Sequence, residues 1–331
     1  MKKIAFLILL MLIVVIVGPL LIVKGCGSPK SGKSVQPPEN FQIRVYVASE
    51  NKVRKMGLEE YVKGVVAKET PANFEPEALK AQAVAARTYA FGRLEKVYAS
   101  KNDEARGADI CTDPGDCQAW ISKEAAMKSW GIFSASKNWN KIDKAVNDTK
   151  GSILVYNGQI ANPVFHSNGG GKTENSEDVW EGVAVPYLRS VVSEGDQYSP
   201  EYKNTVVIKN TDFSKKMKGS YPSFKLTGKD TAASIKILEY SAGGRAKNVN
   251  VGNITMKGTD FRKLFNLKSA NFKVQNNGKS SIKITTYGNG HGVGMSQWGA
   301  NYLAKKGGSY DEILKYYYTG IQLSNVSAYS K

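Results

Sequence analysis

The feature that most constrains this chain is an uninterrupted apolar run from Ile4 to Val23, near the start of a sequence of 331 residues. A run of this length without a charged side chain can cross a bilayer as one helix. A cleavable signal usually has a shorter apolar core and a small-residue exit, and neither is evident here. We therefore expect a single transmembrane anchor over 4–23, with residues 1–3 cytoplasmic and the large body exported. The alternative is a lipoprotein modified at Cys26, although Lys24 fits that signal poorly.

The next segment separates this run from a body of globular composition. Residues 24–40 are rich in Pro, Ser, Gly and Lys, which predicts a disordered linker before a folded body over 41–331. The net charge of the chain is +17. A solvated basic surface needs no partner, yet outside a membrane the available polyanions are wall polymers and lipid headgroups. Nucleic acid is disfavoured, because the chain has neither an arginine-rich tract nor an RNP-like aromatic motif.

The periodicities of the body predict an α+β fold. Apolar residues at helical spacing predict helices over 58–69 and about 76–98, and Pro71 ends the first because the residue before a proline is disfavoured in helical geometry. Alternating segments, such as LRSVV at 188–192, predict strands farther along. We expect a mixed, mostly antiparallel sheet with packed helices and a subdomain inserted over 200–270, all preceded by the one N-terminal transmembrane helix.

Two short motifs predict local geometry within this fold. Asn157-Gly158 stands between two segments of strand-like composition, which predicts a hairpin closed by a type I′ turn. Ser309 is followed three residues later by Glu312, which predicts a capping box at the start of a helix.

The first candidate for chemistry is Glu69, at the end of the first predicted helix. The negative end of the helix dipole and the apolar neighbours Val65, Val66 and Phe74 both disfavour ionisation of a carboxyl group. Such a carboxyl keeps its proton to higher pH, as a general acid for a glycosidic oxygen requires. The plain alternative is a solvated glutamate at a helix end.

A second candidate is the glycine-rich segment FHSNGGGKTENSEDVWEG over 165–182. His166 and Ser167 lead into the glycines 169–171, where backbone can approach a ligand closely. The segment lacks the G-K-[ST] ending of a phosphate-binding loop. A flexible surface loop is the plain alternative.

A third candidate is GHGVGMSQWGA over 290–300, which holds His291, Gln297 and Trp298. Amides beside an aromatic ring suit a sugar, because hydroxyls bond to the amides while an apolar sugar face rests on the ring. A structural histidine in a tight turn is the plain alternative.

The fourth candidate is the pair Cys111 and Cys117 in CTDPGDC. Two thiolates with nearby carboxylates are able to hold zinc, although five intervening residues exceed the usual knuckle spacing. A disulfide is the equally plain interpretation for an exported protein. Two cysteines do not decide between these readings.

Three stretches taken together closely resemble the SpoIID/LytB family: 59–90, 165–191 and 290–300, followed by the ending YYYTGIQL. The resemblance implies a lytic transglycosylase of sporulating bacteria that cleaves between N-acetylmuramic acid and N-acetylglucosamine in strands stripped of stem peptides. The catalytic glutamate of the family matches Glu69, in AKETPA. Members usually have Met where this chain has Thr70.

The resemblance also implies partners, a location and a metal. The partners are the amidase SpoIIP and the membrane protein SpoIIM, and the location is the mother-cell membrane during engulfment of the forespore, with the body facing the intermembrane space. Catalysis requires no cofactor. Some clostridial members are similar in carrying zinc on two cysteines and histidines; Cys111 and Cys117 match those cysteines, whereas the histidines do not appear and Asp116 stands beside Cys117.

A lytic transglycosylase needs one carboxyl group, and we assign that role to Glu69. The side chains that we expect to hold the sugar are Tyr89, Gln118, His166, Ser167 and Gln297.

Two rival functions follow from the same residues. A muramidase-type hydrolase needs a second carboxylate, which Glu174, Glu177 or Asp178 could supply. A non-catalytic wall-binding module that stimulates a partner amidase, as LytB-type relatives suggest, needs no acid at all.

Overall fold

The computed structural model describes residues 41–98, 100–180, 182, 184–228 and 230–329. Within these residues the α-helices are α1 (Leu58–Glu69), α2 (Pro76–Leu94), α3 (Lys101–Ala105), α4 (Lys123–Trp130), α5 (Ala135–Asp148), α6 (Ser176–Val179), α7 (Asn210–Ser220), α8 (Gly258–Leu264), α9 (Gln297–Lys305) and α10 (Tyr310–Tyr317). Short 3-10 helices cover Ala48–Glu50, Glu194–Tyr198 and Val326–Ala328.

The strands of the described residues form five small sheets. They are β1 (Gln42–Val47), β2 (Lys52–Gly57), β3 (Ile110–Cys111), β4 (Ser152–Tyr156), β5 (Gln159–Ile160), β6 (Phe165–His166), β7 (Lys203–Lys209), β8 (Ile235–Tyr240), β9 (Ala246–Val251), β10 (Ile254–Lys257), β11 (Phe272–Asn277), β12 (Ser281–Tyr287), β13 (Met295–Ser296) and β14 (Gln322–Asn325). The sheet orders are β2-β1-β3, β10-β9-β8, β11-β12-β7, β13-β6 and β14-β4-β5. Pairing is antiparallel except between β1 and β3 and between β6 and β13.

The larger hydrophobic core is built around α2, which contacts α1, α5, α9, α10 and β4. Small side chains such as Ala81 and Ala85 are fully buried and let these neighbours approach closely. Arg87 is also fully buried on this helix, where its guanidinium binds the Glu59 carboxylate at 2.7 Å and the Val146 carbonyl at 3.1 Å. These bonds compensate the cost of burying the charge.

A second hydrophobic core lies among β7–β12, α7 and α8. Its centre is aromatic: the rings of Phe213 and Phe265 stack at 4.7 Å, and those of Phe261 and Phe272 at 4.8 Å. Residues 40–331 nevertheless form one compact unit. The boundary of an inserted subdomain at 200–270 therefore stays a prediction.

Several local predictions agree with the structure. The helix predicted over 58–69 spans Leu58–Glu69, and the capping box at Ser309 is formed. Asn157 and Gly158 both have positive φ, as a type I′ turn requires.

Two predictions about strands are wrong. The expected mixed sheet is divided into five small sheets, although most of the strand pairing is antiparallel. The strand expected over 188–192 is not formed, apart from an isolated bridge at Val192. Its backbone bonds to side chains instead: Ser190 N–H donates to Asn175 Oδ1, and Val191 N–H donates to Thr173 Oγ1. Side chains that satisfy the backbone in this way compete with ladder formation.

The membrane prediction also needs correction. The anchor predicted over 4–23 and the linker over 24–40 lie outside the described residues. Within the described part of the chain, no helix combines the length and the apolar character that a bilayer crossing demands. The longest, α2, carries charged side chains such as Lys80 and Arg87, which are costly in hydrocarbon. The structure thus supports neither the transmembrane helix expected as part of the fold nor the single-pass membrane localisation that depended on it.

Candidate active site

Glu69 is the last residue of α1, and Thr70 after it is extended. The Thr70 hydroxyl and N–H both donate to the Val66 carbonyl, at 2.6 and 3.1 Å, so the end of the helix is closed locally. Beneath Glu69 the side chains of Val65 and Val66 are fully buried. The Glu69 side chain itself is only partly buried, so it borders the core and remains accessible.

The Glu69 carboxyl is held by a segment distant in sequence. The Ala119 N–H donates to Glu69 Oε1 at 2.7 Å. Burial raises the pKa of Glu69 above its ordinary value, while the Ala119 N–H, the Gln297 side chain and the charge of Lys68 lower it by less. The outcome is a partly accessible carboxyl group that is a weaker acid than an ordinary glutamate, as a proton donor must be.

The segment that supplies Ala119 is supported on both sides. Tyr89 of α2 donates its hydroxyl to the Asp116 carbonyl at 3.3 Å, and the Ile121 N–H donates to the Gly64 carbonyl of α1 at 3.3 Å. Gln118 is buried, and within the described residues its Oε1 has no hydrogen-bond partner. Tyr89 therefore contacts the site through the backbone of this segment, whereas Gln118 directly precedes the residue that holds Glu69.

Parallel pairing of β6 with β13 places His166 opposite Ser296. Ser167 and Gln297 therefore leave the two strands side by side, and the Ser167 carbonyl accepts from the Trp298 N–H at 3.2 Å. The Gln297 side chain lies near enough to Glu69 to lower the pKa of that carboxyl, and it donates to Gln82 Oε1 at 3.4 Å. The structure thus brings the second and third sequence candidates together beside Glu69.

Both histidines form hydrogen bonds with backbone groups. His166 Nδ1 donates to the Val293 carbonyl at 3.0 Å, and His291 accepts from the Val293 N–H while its Nε2 donates to the Phe165 carbonyl at 2.8 Å. Burial holds the pKa of His166 well below its ordinary range and lowers the pKa of His291 to about 4. Both imidazoles are therefore neutral at neutral pH. His166 Nε2 has no protein partner among the described residues.

Asp196 is a supporting residue that the sequence analysis missed. It is fully buried, and its carboxylate accepts from the Ser296 hydroxyl and from the Gly171 N–H at 3.0 Å. Ser296 Oγ in turn accepts from the Gly299 N–H and caps α9. Asp196 therefore fixes the glycine-rich loop against the start of the helix that carries Gln297. No local pattern marks it, since it lies in the short 3-10 helix Glu194–Tyr198, distant in sequence from both.

Each candidate for a second catalytic carboxylate is paired with a cation. Glu174 is fully buried and bound to Arg245 at 3.1 Å. Glu177 binds Arg189 through two bonds, which lower its pKa to about 2. Asp178 lies 3.4 Å from Lys247. A carboxylate neutralised in this way is a poor base or nucleophile.

Cys111 and Cys117 form a disulfide in the structure, with their Cα atoms 5.8 Å apart. Zinc would require both sulfurs as thiolates. The third potential ligand within 4.8 Å, Asp103, is bound to the Arg93 guanidinium, a cation that would repel a metal ion. The residues present fit a disulfide better than a zinc site, and zinc stays a prediction from the sequence.

Comparisons with known proteins identify the family of this chain. The SpoIID family model, described as stage II sporulation protein, matches residues 46–156, which include Glu69. The chain is 42% identical over 287 residues to stage II sporulation protein D of Bacillus subtilis (strain 168), covering 87% of this chain and 80% of that protein. The protein of the same name from Bacillus amyloliquefaciens is 39% identical, with the same coverage.

A more distant relative is the amidase enhancer of Bacillus subtilis (strain 168). It is 30% identical over 314 residues, and the match covers 80% of this chain but 40% of that protein. Since two stage II sporulation proteins D match this sequence over most of its length, the chain belongs to the stage II sporulation protein D (SpoIID) family.

Proposed function

We propose that the chain is a peptidoglycan lytic transglycosylase that cleaves the linkage between N-acetylmuramic acid and N-acetylglucosamine in peptide-stripped strands during engulfment of the forespore. The observation that carries the proposal is Glu69: a partly accessible carboxyl with a raised pKa, one of whose oxygens is fixed by the Ala119 N–H. The pairing of Glu174, Glu177 and Asp178 with cations favours a mechanism that needs only one free carboxyl.

Glu69 acts first as an acid and then as a base. Its proton passes to the bridging oxygen as the bond from C1 of muramic acid to that oxygen breaks. The resulting carboxylate then takes the proton of the muramic acid C6 hydroxyl, whose oxygen bonds to C1 and closes a 1,6-anhydro ring. Glu69 ends protonated, so the cycle consumes neither water nor a second carboxylate. Gln297 and the Ala119 N–H stabilise the carboxylate between the two steps.

The proposed partners are an amidase that prepares the glycan and a membrane protein that holds the enzymes together. An amidase such as SpoIIP would remove stem peptides and so supply the stripped strands, and SpoIIM would join both enzymes. The net charge of +17 favours adhesion to anionic wall polymers. Catalysis as proposed requires no metal.

A second candidate is a non-catalytic module that binds wall and stimulates an amidase. It is favoured by the relative named amidase enhancer, which is 30% identical to this chain.

The deciding experiment is a digest of peptide-free glycan by the full chain, beside Glu69→Gln and the control Glu60→Gln, an exposed position on the same helix. We expect 1,6-anhydro ends, detected by mass spectrometry, from the wild type and from Glu60→Gln only. Products heavier by one water would indicate a hydrolase. Release of fragments by Glu69→Gln would exclude Glu69 as the acid, and stimulation of an amidase without cleavage by any variant would favour the module.

A further inference from the structure

A groove of about 410 Å³ runs along α9, the helix that begins at Gln297. We call it the α9 groove; it is lined by Gly195, Tyr198, Trp298, Asn301, Tyr302, Lys305 and Lys306. The two lysines provide the charge of this lining, since no carboxylate occurs among the described residues that form it. Its chemistry is therefore aromatic and cationic.

The aromatic wall of the α9 groove is held rigidly. The rings of Tyr198 and Tyr302 stack at 5.4 Å with an angle of 15° between their planes, yet the Tyr198 side chain is 64% exposed. The turn that carries Tyr198 packs so tightly on α9 that a Cβ added at Gly195 would lie 2.1 Å from the Tyr302 Cβ. A ring already fixed in place binds a ligand without the entropic cost of ordering it.

The α9 groove lies on the helix that also carries Gln297. Trp298 directly follows Gln297, whose side chain lowers the pKa of Glu69. The Asn301 amide oxygen accepts from the Glu75 N–H at 2.8 Å, which ties α9 to the segment after the catalytic residue. From Trp298 to Lys305 the helix rises by about 10 Å. The groove and the Gln297 side chain that faces Glu69 therefore belong to one helix.

A larger cavity of about 530 Å³ lies beside α1, near Trp120 and Trp139. Its rim mixes lysines with carboxylates such as Glu60 and Asp143, and Asp143 is already paired with Lys63 at 2.6 Å. The α9 groove, with one sign of charge, is the better complement to an anionic ligand.

We propose that the α9 groove is a glycan subsite that binds sugars flanking the cleaved linkage and recognises their free carboxylates. Sugar faces rest on Tyr198 and Trp298, since apolar ring faces of sugars pack on aromatic side chains. Lys305 and Lys306 pair with the lactyl carboxylates of muramic acid, which become anionic once stem peptides are removed. This inference rests on the proposed function and assigns selection of stripped strands to these residues.

The test measures binding of peptide-free glycan strands to the full chain carrying Glu69→Gln, so that no strand is cut. Against this background, Tyr198→Ala and the double variant Lys305→Gln/Lys306→Gln should each weaken binding, by about tenfold for the double variant. The matched controls are Tyr240→Ala, at a tyrosine that is 60% exposed, and Lys215→Gln/Lys218→Gln on α7. The controls should bind as the parent does.

A chemical control isolates the carboxylates. Strands whose carboxyl groups have been reduced to alcohols should bind more weakly to the parent, and the lysine variant should bind them no more weakly than the parent does. Equal binding of all variants, or the same lysine effect on reduced strands, would overturn the proposal. Thermal melting of each variant checks that the fold is retained.

The experiments distinguish failure of the lytic transglycosylase assignment from failure of the α9 groove subsite. If the wild type cuts no glycan while the groove variants still lose binding, the enzyme assignment fails and the subsite stands. If the wild type cuts glycan and the groove variants bind unchanged, the subsite fails and the enzyme stands.

Discussion

At the scale of single residues, the burial of Glu69 opposes its ionisation. Desolvation raises the pKa of this carboxyl, and the Ala119 N–H and the Gln297 side chain, which lower it, offset only part of that effect. The residue that suits acid catalysis is therefore one that costs stability when it is charged.

Glu69→Gln should stabilise the folded protein at neutral pH. The unfolded chain binds this proton only up to the ordinary pKa of 4.5, whereas the folded chain retains it to higher pH. Between the pKa of the unfolded chain and that of the folded chain, the folded state binds more protons. The free energy of unfolding therefore falls as pH rises through this range. A glutamine does not titrate, so the variant avoids this loss of stability. Melting temperatures measured against pH should show the variant above the wild type at neutral pH and level with it below 4.5. A difference that does not change with pH would contradict this reasoning.

The paired cysteines give a second prediction at this scale. Replacing Cys111 and Cys117 together by serine should lower the free energy of unfolding by about 2 kcal/mol, because the disulfide restricts a short loop of the unfolded chain. Denaturant titration measures this change, and a chelator should leave the melting of the wild type unaltered. Loss of stability on chelation, together with bound zinc in the purified protein, would favour the metal instead.

At the scale of elements, the candidate site depends on how closely the segment around Ala119 lies against α1. That contact is permitted by Gly64, because a Cβ there would lie 2.1 Å from Trp120 Nε1 and 2.6 Å from the Ile121 carbonyl oxygen. The same segment carries the N–H that fixes Glu69.

Gly64→Ala should therefore displace the segment and weaken catalysis. We expect a loss of about 1–3 kcal/mol in stability, as for other overpacked sites, and slower glycan cleavage under conditions where the variant is folded. The control is Gly219→Ala on α7, where an added Cβ would meet nothing within 4 Å. It should leave cleavage unchanged and stabilise the helix by about 0.5–1 kcal/mol. Unaltered cleavage by folded Gly64→Ala would mean that the segment does not position Glu69.

At the scale of the whole molecule, the second core reaches the candidate site through Arg245. This residue, at the end of the β8–β9 connection, is buried, and its guanidinium donates to the Gly169 carbonyl at 2.7 Å and to Glu174 at 3.1 Å. The glycine-rich loop is thus braced by the part of the chain that contributes no candidate catalytic residue.

Arg245→Met should cost about 3–5 kcal/mol, since it leaves the Glu174 carboxylate buried without its cation. The double variant Arg245→Met/Glu174→Met should lose less than the sum of the single variants in urea unfolding, because removing both partners leaves no unpaired charge. Lys247→Met removes the ion pairs of an exposed lysine with Glu239 and Asp178 and should change stability by less than about 1 kcal/mol. Additive losses would show that the buried pair is not coupled.

The sequence alone determined the local features that depend on residues close together in the chain. It located the helix that ends at Glu69, because Thr70 precedes a proline, and it located the turn at Asn157-Gly158 and the cap at Ser309. The strand predicted over 188–192 is absent because side chains from another part of the chain accept the backbone hydrogen bonds that a neighbouring strand would otherwise accept.

Only the tertiary structure decided how the candidate residues meet. The bond from Ala119 to Glu69 joins positions 50 residues apart, and the pairing that brings Ser167 beside Gln297 joins two strands of two residues each. Neither contact leaves a periodic pattern, because each depends on the packing of whole elements around α2. Local stereochemistry therefore placed Glu69 at the end of its helix, whereas long-range packing supplied the burial and the hydrogen bond that shift its pKa.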